Sequence, residues 1–333
     1  MQMDTIRKKV RGLGLCSGGL DSILAALVLK KQGIDVEWIT FETPFFSADK
    51  ARAASKMTCI PLRVQSITPV YLQMLEHPPC GYGKYMNPCL DCHALMFRLA
   101  GEVMRSEGMD FLFSGEVMGQ RPMSQTRPSL RYVEKHSGFQ GYILRPLSAK
   151  RLPETIPEQE GLVNRELLLD LAGRSRKPQI RLAKEFGITE YPAPAGGCLL
   201  TDRGYTVRLK DLFGHTDTGA EKDYHLLKHG RHFRLSPVSK IIVGRTQGDN
   251  EKIAGYYRPD ADVLLKTRTI PGPLVLMPYG GDDRDRMLAA GICAAYSKSP
   301  EGGNVEIGVT APEKKYVIRV VAQSPGRFRD LMI

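Results

Sequence analysis

The chain has 333 residues, of which 42% are hydrophobic and 25% charged, with seven cysteines and a net charge of +11. That length exceeds one ordinary core and predicts two domains, while the composition excludes general disorder. No apolar run reaches membrane-spanning length, the basic start up to Arg11 lacks the apolar stretch of a secretory signal, and seven scattered cysteines are no disulfide framework, so a cytoplasmic protein without membrane contact is expected. The positive balance favours a polyanionic partner without choosing between nucleic acid and small phosphates.

In chain order, residues 10–15 read as a buried strand and residues 20–32 as a helix stopped by Gly33. Residues 36–41 and 60–64 read as strands, and residues 48–57 and 70–75 as helices. Residues 77–88 form a Pro/Gly-rich loop carrying Cys80, followed by a helix over 89–106 with Met96, Leu99, Ala100 and Val103 on its buried face. A strand at 111–113 ends at Ser114-Gly115-Glu116, a long basic loop spans 119–137, and 142–147 returns to the sheet. Strands and helices alternate, so an α/β domain with a parallel sheet is predicted. Residues 162–172 and 178–186 read as helices joined by a basic connection, and 191–197 as an irregular segment delivering Cys198. A composition break at 201–205 separates a first domain, residues 1–203, from a smaller α+β domain, residues 204–333. In the latter, short strands at 240–243, 274–277, 305–309 and 316–321 surround a helix at 286–296.

The most specific feature is Ser17-Gly18-Gly19-Leu20-Asp21-Ser22, set between a strand and a helix. Its glycines let backbone N–H groups approach an anion, and the helix start adds unpaired N–H groups and a positive dipole end. Ser17 and Ser22 offer hydroxyl donors, and Asp21, which bare phosphate would repel, is expected to hold Mg²⁺ or cap the helix. The lysine of a Walker A loop is absent, which argues against ordinary γ-phosphate transfer. A plain Gly-Gly turn with a capped helix is the bland alternative. The loop resembles the PP-loop of the ATP pyrophosphatases. That resemblance implies ATP cleaved between its α and β phosphates, adenylation of a carbonyl oxygen and displacement of AMP by a nucleophile. It also implies a nucleotide site of Cys16 to Ser22 with Thr40, Phe41 and Gly115.

Asn87-Pro88-Cys89-Leu90-Asp91-Cys92-His93 is similar to the Asn-Pro-Cys-x-x-Cys-Asn segment of bacterial tRNA 2-thiouridylases, with His93 in place of Asn. Cys198, in Ala195-Gly196-Gly197-Cys198, falls where that family keeps its second essential cysteine. The resemblance, which extends to 4-thiouridine synthetases, implies catalytic roles for Asp21, Cys89, Cys92 and Cys198, and tRNA as substrate. It permits a [4Fe–4S] cluster on Cys89, Cys92 and Cys198, or a cluster-free route with a persulfide on Cys198 resolved by Cys92. Zinc is a third possibility, with Cys80 or His93 as fourth ligand. A sulfide or persulfide donor is implied in either thiolation route. Cys16, Cys59 and Cys293 lie in apolar stretches and are expected to be buried.

Arg174, Arg176, Lys177, Arg181 and Lys184 cluster around one helix start, and Arg121, Arg127, Arg131 and Lys135 mark the basic loop; both sets are candidates for tRNA phosphates or for simple solvation. Residues 243–250, 271–273 and 289–297 resemble an NFACT-type RNA-binding domain, with Arg245 and Asn250 at its polar motif. A packing or dimerisation domain, and hence a homodimer, stays open. So do a PP-loop enzyme acting on a small molecule and a non-catalytic RNA-binding protein with a nucleotide pocket.

Overall fold

The structure is a computed structural model that describes residues 9–193, 197–215 and 219–333. The chain separates into two compact units, Met1–Thr201 and Asp202–Ile333. The first begins β1 (Arg11–Leu15), α1 (Leu20–Lys30), β2 (Asp35–Glu42), α2 (Asp49–Thr58), β3 (Leu62–Ser66) and α3 (Thr68–Glu76). It continues with α4 (Cys89–Ser106), β4 (Phe111–Ser114), α5 (Arg127–Ser137), β5 (Ile143–Leu144), α6 (Ile156–Gln159) and α7 (Lys177–Glu185). The five strands are all parallel, in the order β3-β2-β1-β4-β5. Strand order therefore reverses between β1 and β4, and ligands of open α/β sheets bind outside the carboxyl ends of strands at such a switch point. The Ser17–Ser22 loop leaves β1 at that point. Apolar faces of α1, β1, β2 and β4 meet in one core through Leu24, Leu29, Trp38, Phe111 and Phe113.

Three readings of this unit change. Residues 119–137 are not one loop, because α5 occupies their second half. Thr126 caps α5 by accepting from the Ser129 N–H, Pro128 sits in its first turn, and Gly138 closes it at φ +75°. Residues 162–172 are not a helix. Apart from a short 3-10 turn at Arg165–Leu167 they are extended, and the Leu169 and Leu171 N–H groups donate to Pro146 and Leu147 carbonyls. The buried face of α4 is Ala94, Phe97, Ala100, Gly101 and Met104, whereas Met96, Leu99 and Val103 are half-buried. Small residues sit at the tightest contact there: a Cβ on Gly101 would lie 2.2 Å from the Phe139 ring.

The second unit comprises α8 (Arg203–His215), α9 (Glu221–Leu226), β6 (Arg231–Arg234), β7 (Lys240–Val243) and α10 (Gln247–Ala254). They are followed by β8 (Val263–Thr267), β9 (Leu274–Met277), α11 (Asp283–Ala295), β10 (Asn304–Thr310) and β11 (Lys315–Val321). Its sheet is antiparallel, in the order β11-β10-β8-β9-β7-β6. Ala289, Ile292 and Cys293 of α11 pack with Val263, Leu265 and Val275, while Leu226 and Ile253 pack with Ile242 and Leu276. The fold is thus an α/β parallel-sheet domain followed by a smaller α+β domain. Cys16 and Cys293 are buried as expected, but Cys59 is exposed. It ends α2 in the left-handed conformation, φ +53°, so the turn sends its side chain outward. No helix among the described residues is long and apolar enough to cross a membrane.

Candidate functional site

Gly18 turns the loop at φ +69°, and a Cβ there would stand 2.2 Å from the backbone of Lys50 at the start of α2. Only glycine fits that approach. Gly19 is the N-cap of α1, and no side chain caps this helix, so while the Ser22 N–H turns back to the Gly19 carbonyl, the Leu20 and Asp21 N–H groups are left for an outside acceptor. Gly18 and Gly19 N–H groups make only long local bonds, to Cys16 Sγ at 3.4 Å and Ser17 Oγ at 3.3 Å. The Ser22 hydroxyl is not a free donor, contrary to expectation, because it is spent on the Gly19 carbonyl at 2.8 Å. Buried Cys16 has its thiol pushed up to about 11 by burial, so it is a neutral wall of the loop. Gly115 presses on the same loop from β4, where a Cβ would lie 2.3 Å from the Asp21 carbonyl carbon. Thr40 and Phe41 are both buried near the carboxyl end of β2.

Asp21 is not the helix cap. Its Oδ2 accepts from Gln120 Nε2 at 2.9 Å, and Gln120 Oε1 accepts from Gln179 Nε2 at 3.2 Å. A carboxylate only accepts, so Gln120 must present its amide nitrogen and Gln179 must do the same in turn; the relay has one polarity. Among the described residues no hydrogen-bond partner meets the buried Asp21 Oδ1. Burial pushes the Asp21 carboxyl up, opposed by Gln120, by the charges of Arg176 and Arg121, and by a hydrogen bond from Gln179. An orphaned carboxylate oxygen beside a phosphate-ready loop fits a divalent cation that the phosphates would share. Gln120 and Gln179 carry no local motif and were invisible in the sequence.

Cys89 and Cys92 occupy the first turn of α4, and Asn87 Nδ2 donates to Cys89 Sγ at 3.3 Å. Ala195 and Gly196 lie outside the described residues. After them the Leu199 N–H donates to the Phe45 carbonyl at 3.0 Å, docking the Cys198 turn beside Tyr71, whose ring centroid is 5.6 Å from that of Phe45. All three thiols are partly buried and act electrostatically on the buried Tyr71 hydroxyl, which hydrogen bonds with Cys92. The fold therefore gathers Cys89, Cys92 and Cys198 around one phenol. Burial, then the neighbouring Cys89, pushes the Cys198 thiol up to about 11, against the Leu200 N–H and Arg121. Burial and Cys198 push Cys92 higher still. The positive charge of Arg121 favours the ionised form of both Asp21 and Cys198. Lys50 links loop and thiols by position, its backbone on Gly18 and its Nζ 3.7 Å from where a Gly197 Cβ would stand.

His93 and Cys80 have other partners. His93 Nδ1 is 2.9 Å from Glu116 Oε1, and Cys80 hydrogen bonds with Tyr132. Among the described residues no three His, Cys, Asp or Glu side chains close on a single metal ion. Glu116 is the buried hub behind the thiols, accepting from Arg145 Nε at 2.9 Å while Arg145 also pairs with Glu134. Burial would raise the Glu116 carboxyl, but Arg145 and His93 hold it at about 2, below its ordinary 4.5. A depressed carboxylate stabilises the fold fully above pH 4.5 and loses that contribution as pH falls through 2, on the order of 3 kcal/mol. The stability gap between wild type and Glu116→Gln, followed by chemical denaturation, is expected to narrow across that window. A gap constant with pH would contradict this.

Of the basic residues, Arg174, Lys177 and Arg181 are exposed around the start of α7. Arg176 differs: it is half-buried, its Nε has no partner among the described residues, and its charge acts on Asp21. It belongs with the phosphate loop rather than the outer surface. In the second unit Arg245 is exposed but its Nε donates to Asp249 at 2.7 Å, and Asn250 is structural, accepting from the Leu274 N–H at 3.1 Å.

Comparison with known proteins agrees with this layout. Residues 8–152 match the family described as thiamine biosynthesis protein (ThiI), and residues 230–328 match the NFACT protein RNA binding domain. A probable tRNA sulfurtransferase of Acholeplasma laidlawii is 32% identical over 149 residues, 41% of this chain and 34% of that protein. A tRNA-specific 2-thiouridylase, MnmA 1, of Syntrophus aciditrophicus is 26% identical over 222 residues, 61% of this chain and 56% of that protein. A solved 4-thiouridine synthetase–RNA complex with bound ATP is 20% identical, covers 55% of this chain and 54% of its own, and has a TM-score of 0.35. The chain spans about a third of the length of the sulfurtransferases it matches. It carries, in one polypeptide, a PP-loop segment of the ThiI family over residues 8–152 and an NFACT-type RNA-binding domain over residues 230–328.

Proposed function

We propose that this protein is an ATP-dependent tRNA sulfurtransferase that converts a uridine carbonyl to a thiocarbonyl. The observation that carries the reading is the convergence of Cys89, Cys92 and Cys198 around Tyr71, with Lys50 reaching from the Gly18 turn toward Gly197 beside Cys198. The uridine carbonyl oxygen attacks the ATP α-phosphate and pyrophosphate leaves. N–H groups of Gly18, Gly19 and the first turn of α1, with Arg176, receive the departing charge. Mg²⁺ on Asp21 Oδ1 would offset charge on the phosphates. Thr40 and Phe41 flank the adenine, and Gly115 sets the distance of the loop from β4. Sulfide from a donor then adds to the activated carbon, AMP leaves with the former carbonyl oxygen, and a proton is released; no oxidant or reductant is consumed. The target base has to be unpaired or drawn from its stack to reach such a site. Arg174, Lys177, Arg181 and Arg245 are assigned to tRNA phosphates, with domains divided near residue 203.

The donor set favours a [4Fe–4S] cluster on the three thiols. Thiolates are the ordinary ligands of such a cluster, and Cys89, Cys92 and Cys198 would hold it. Such a cluster supplies an iron without a protein ligand where sulfide can bind. Protein purified without oxygen is expected to be brown with about four irons per chain, and Cys89→Ala, Cys92→Ala and Cys198→Ala are each expected to remove the colour. A colourless preparation with stoichiometric zinc would overturn the cluster.

A further inference from the structure

The match to the ThiI family stops at residue 152 and that to the RNA-binding domain starts at 230, so the end of α9 belongs to neither. We infer that this end of α9, together with α10, forms a binding site for RNA backbone phosphate, with Lys228, His229, Arg245 and Lys252 as donors beside the rings of His225 and Tyr256. The inference rests on the RNA reading above and names its site.

Geometry brings these residues together. The His225 ring stacks on Tyr256 with centroids 5.9 Å apart and 12° between planes, and His229 stacks on the same ring at 6.4 Å and 25°. Lys228 Nζ lies 3.0 Å from His225 Nδ1. An ammonium only donates, so Nδ1 accepts, and the neutral imidazole carries its proton on Nε2, which is 3.6 Å from Glu221 Oε1. Beyond burial, the charges of Lys252, Lys228 and Arg245 act on His229 against that of Asp249, and those of Arg245 and Arg208 oppose each other. Arg208 donates through Nη1 to the Leu227 carbonyl at 2.8 Å, while its buried Nε has no partner among the described residues.

The nearby carboxylates are already committed. Asp249 holds Arg245, Asp202 accepts from the Tyr205 N–H at the start of α8, Glu221 faces His225, and Glu251 accepts from Gln247. What remains is a set of cations with N–H groups to spare, since Arg245 gives Asp249 its Nε and Lys228 gives His225 one N–H, spread along two elements rather than converging on one point. A spread of this kind tracks a phosphate backbone better than a single small anion, and the rings offer a stacking surface beside it.

The test uses the full chain and fluorescently labelled tRNA, with affinity measured across a potassium chloride series. Lys228→Gln with Lys252→Gln is expected to weaken binding roughly 10-fold or more and to lower the slope of log K against log salt by about two. The control pair, Lys298→Gln with Lys315→Gln, removes the same charge elsewhere on the same unit and is expected to change affinity less than about threefold. Lys252→Gln alone, on an exposed side chain, is expected to lower the slope by about one, so the outcome does not depend on the half-buried Lys228. Equal losses in the site and control pairs, or no loss in the site pair, would overturn the site while leaving the RNA reading intact. A wild-type chain that fails to bind tRNA would overturn that reading itself.

Discussion

Asp21→Asn is expected to lower tRNA-dependent pyrophosphate release by roughly 10²–10³-fold, equivalent to about 3–4 kcal/mol of transition-state stabilisation. The substitution keeps shape and the acceptor facing Gln120, so the Asp21–Gln120–Gln179 relay and the loop survive. It removes only the negative charge and the affinity of the orphaned Oδ1 for a cation. Iron content and melting temperature are expected to stay at wild-type values, because the thiols do not depend on this carboxylate. Release at the wild-type rate would show that Asp21 serves the packing of α1 rather than the chemistry.

Cys198→Ser is expected to produce the opposite pattern. Thiouridine formation should fall below about a thousandth of wild type, while pyrophosphate release in the presence of tRNA continues. The reason is spatial: Cys198 reaches the other thiols on a separate turn, held by the Leu199–Phe45 hydrogen bond, and is not part of the loop that faces the phosphates. Quantifying pyrophosphate and thiolated nucleoside in the same reaction separates the two half-reactions. Thiolation retained by the serine variant would mean that sulfur arrives by a route independent of the three thiols.

The two variants differ in how visible their residues were. The Ser17–Ser22 loop declared itself because phosphate binding there is local: strand, glycines and helix start are contiguous, and the backbone does the work. Cys89 and Cys92 were legible for the same reason, three residues apart at a helix start. That Cys198 meets them was known only through a family resemblance, since nothing in its own turn specifies where it docks. Tyr71, Gln120, Gln179 and the Glu116–Arg145 pair were not legible at all, because their roles come from contacts across the sheet with ordinary polar residues. Helix α5 carried its start and stop signals in Thr126, Pro128 and Gly138, but its charge and its neighbouring turns read as loop. At 162–172 the leucine spacing suited a helix, yet pairing with the 146–150 segment satisfies the backbone better. Arg176 shows the limit of reading charge: five cations look alike in sequence, and only the fold turns one of them toward Asp21.

The most direct test of the central claim is a single reconstituted reaction. Anaerobically purified protein, ATP, Mg²⁺, sulfide and unmodified tRNA are combined, and the tRNA is digested to nucleosides for mass spectrometry. The expected result is thiouridine formed with one pyrophosphate released per sulfur inserted, and none when ATP is omitted. Pyrophosphate release without any thiolated nucleoside, or thiolation that proceeds without ATP, would contradict the account.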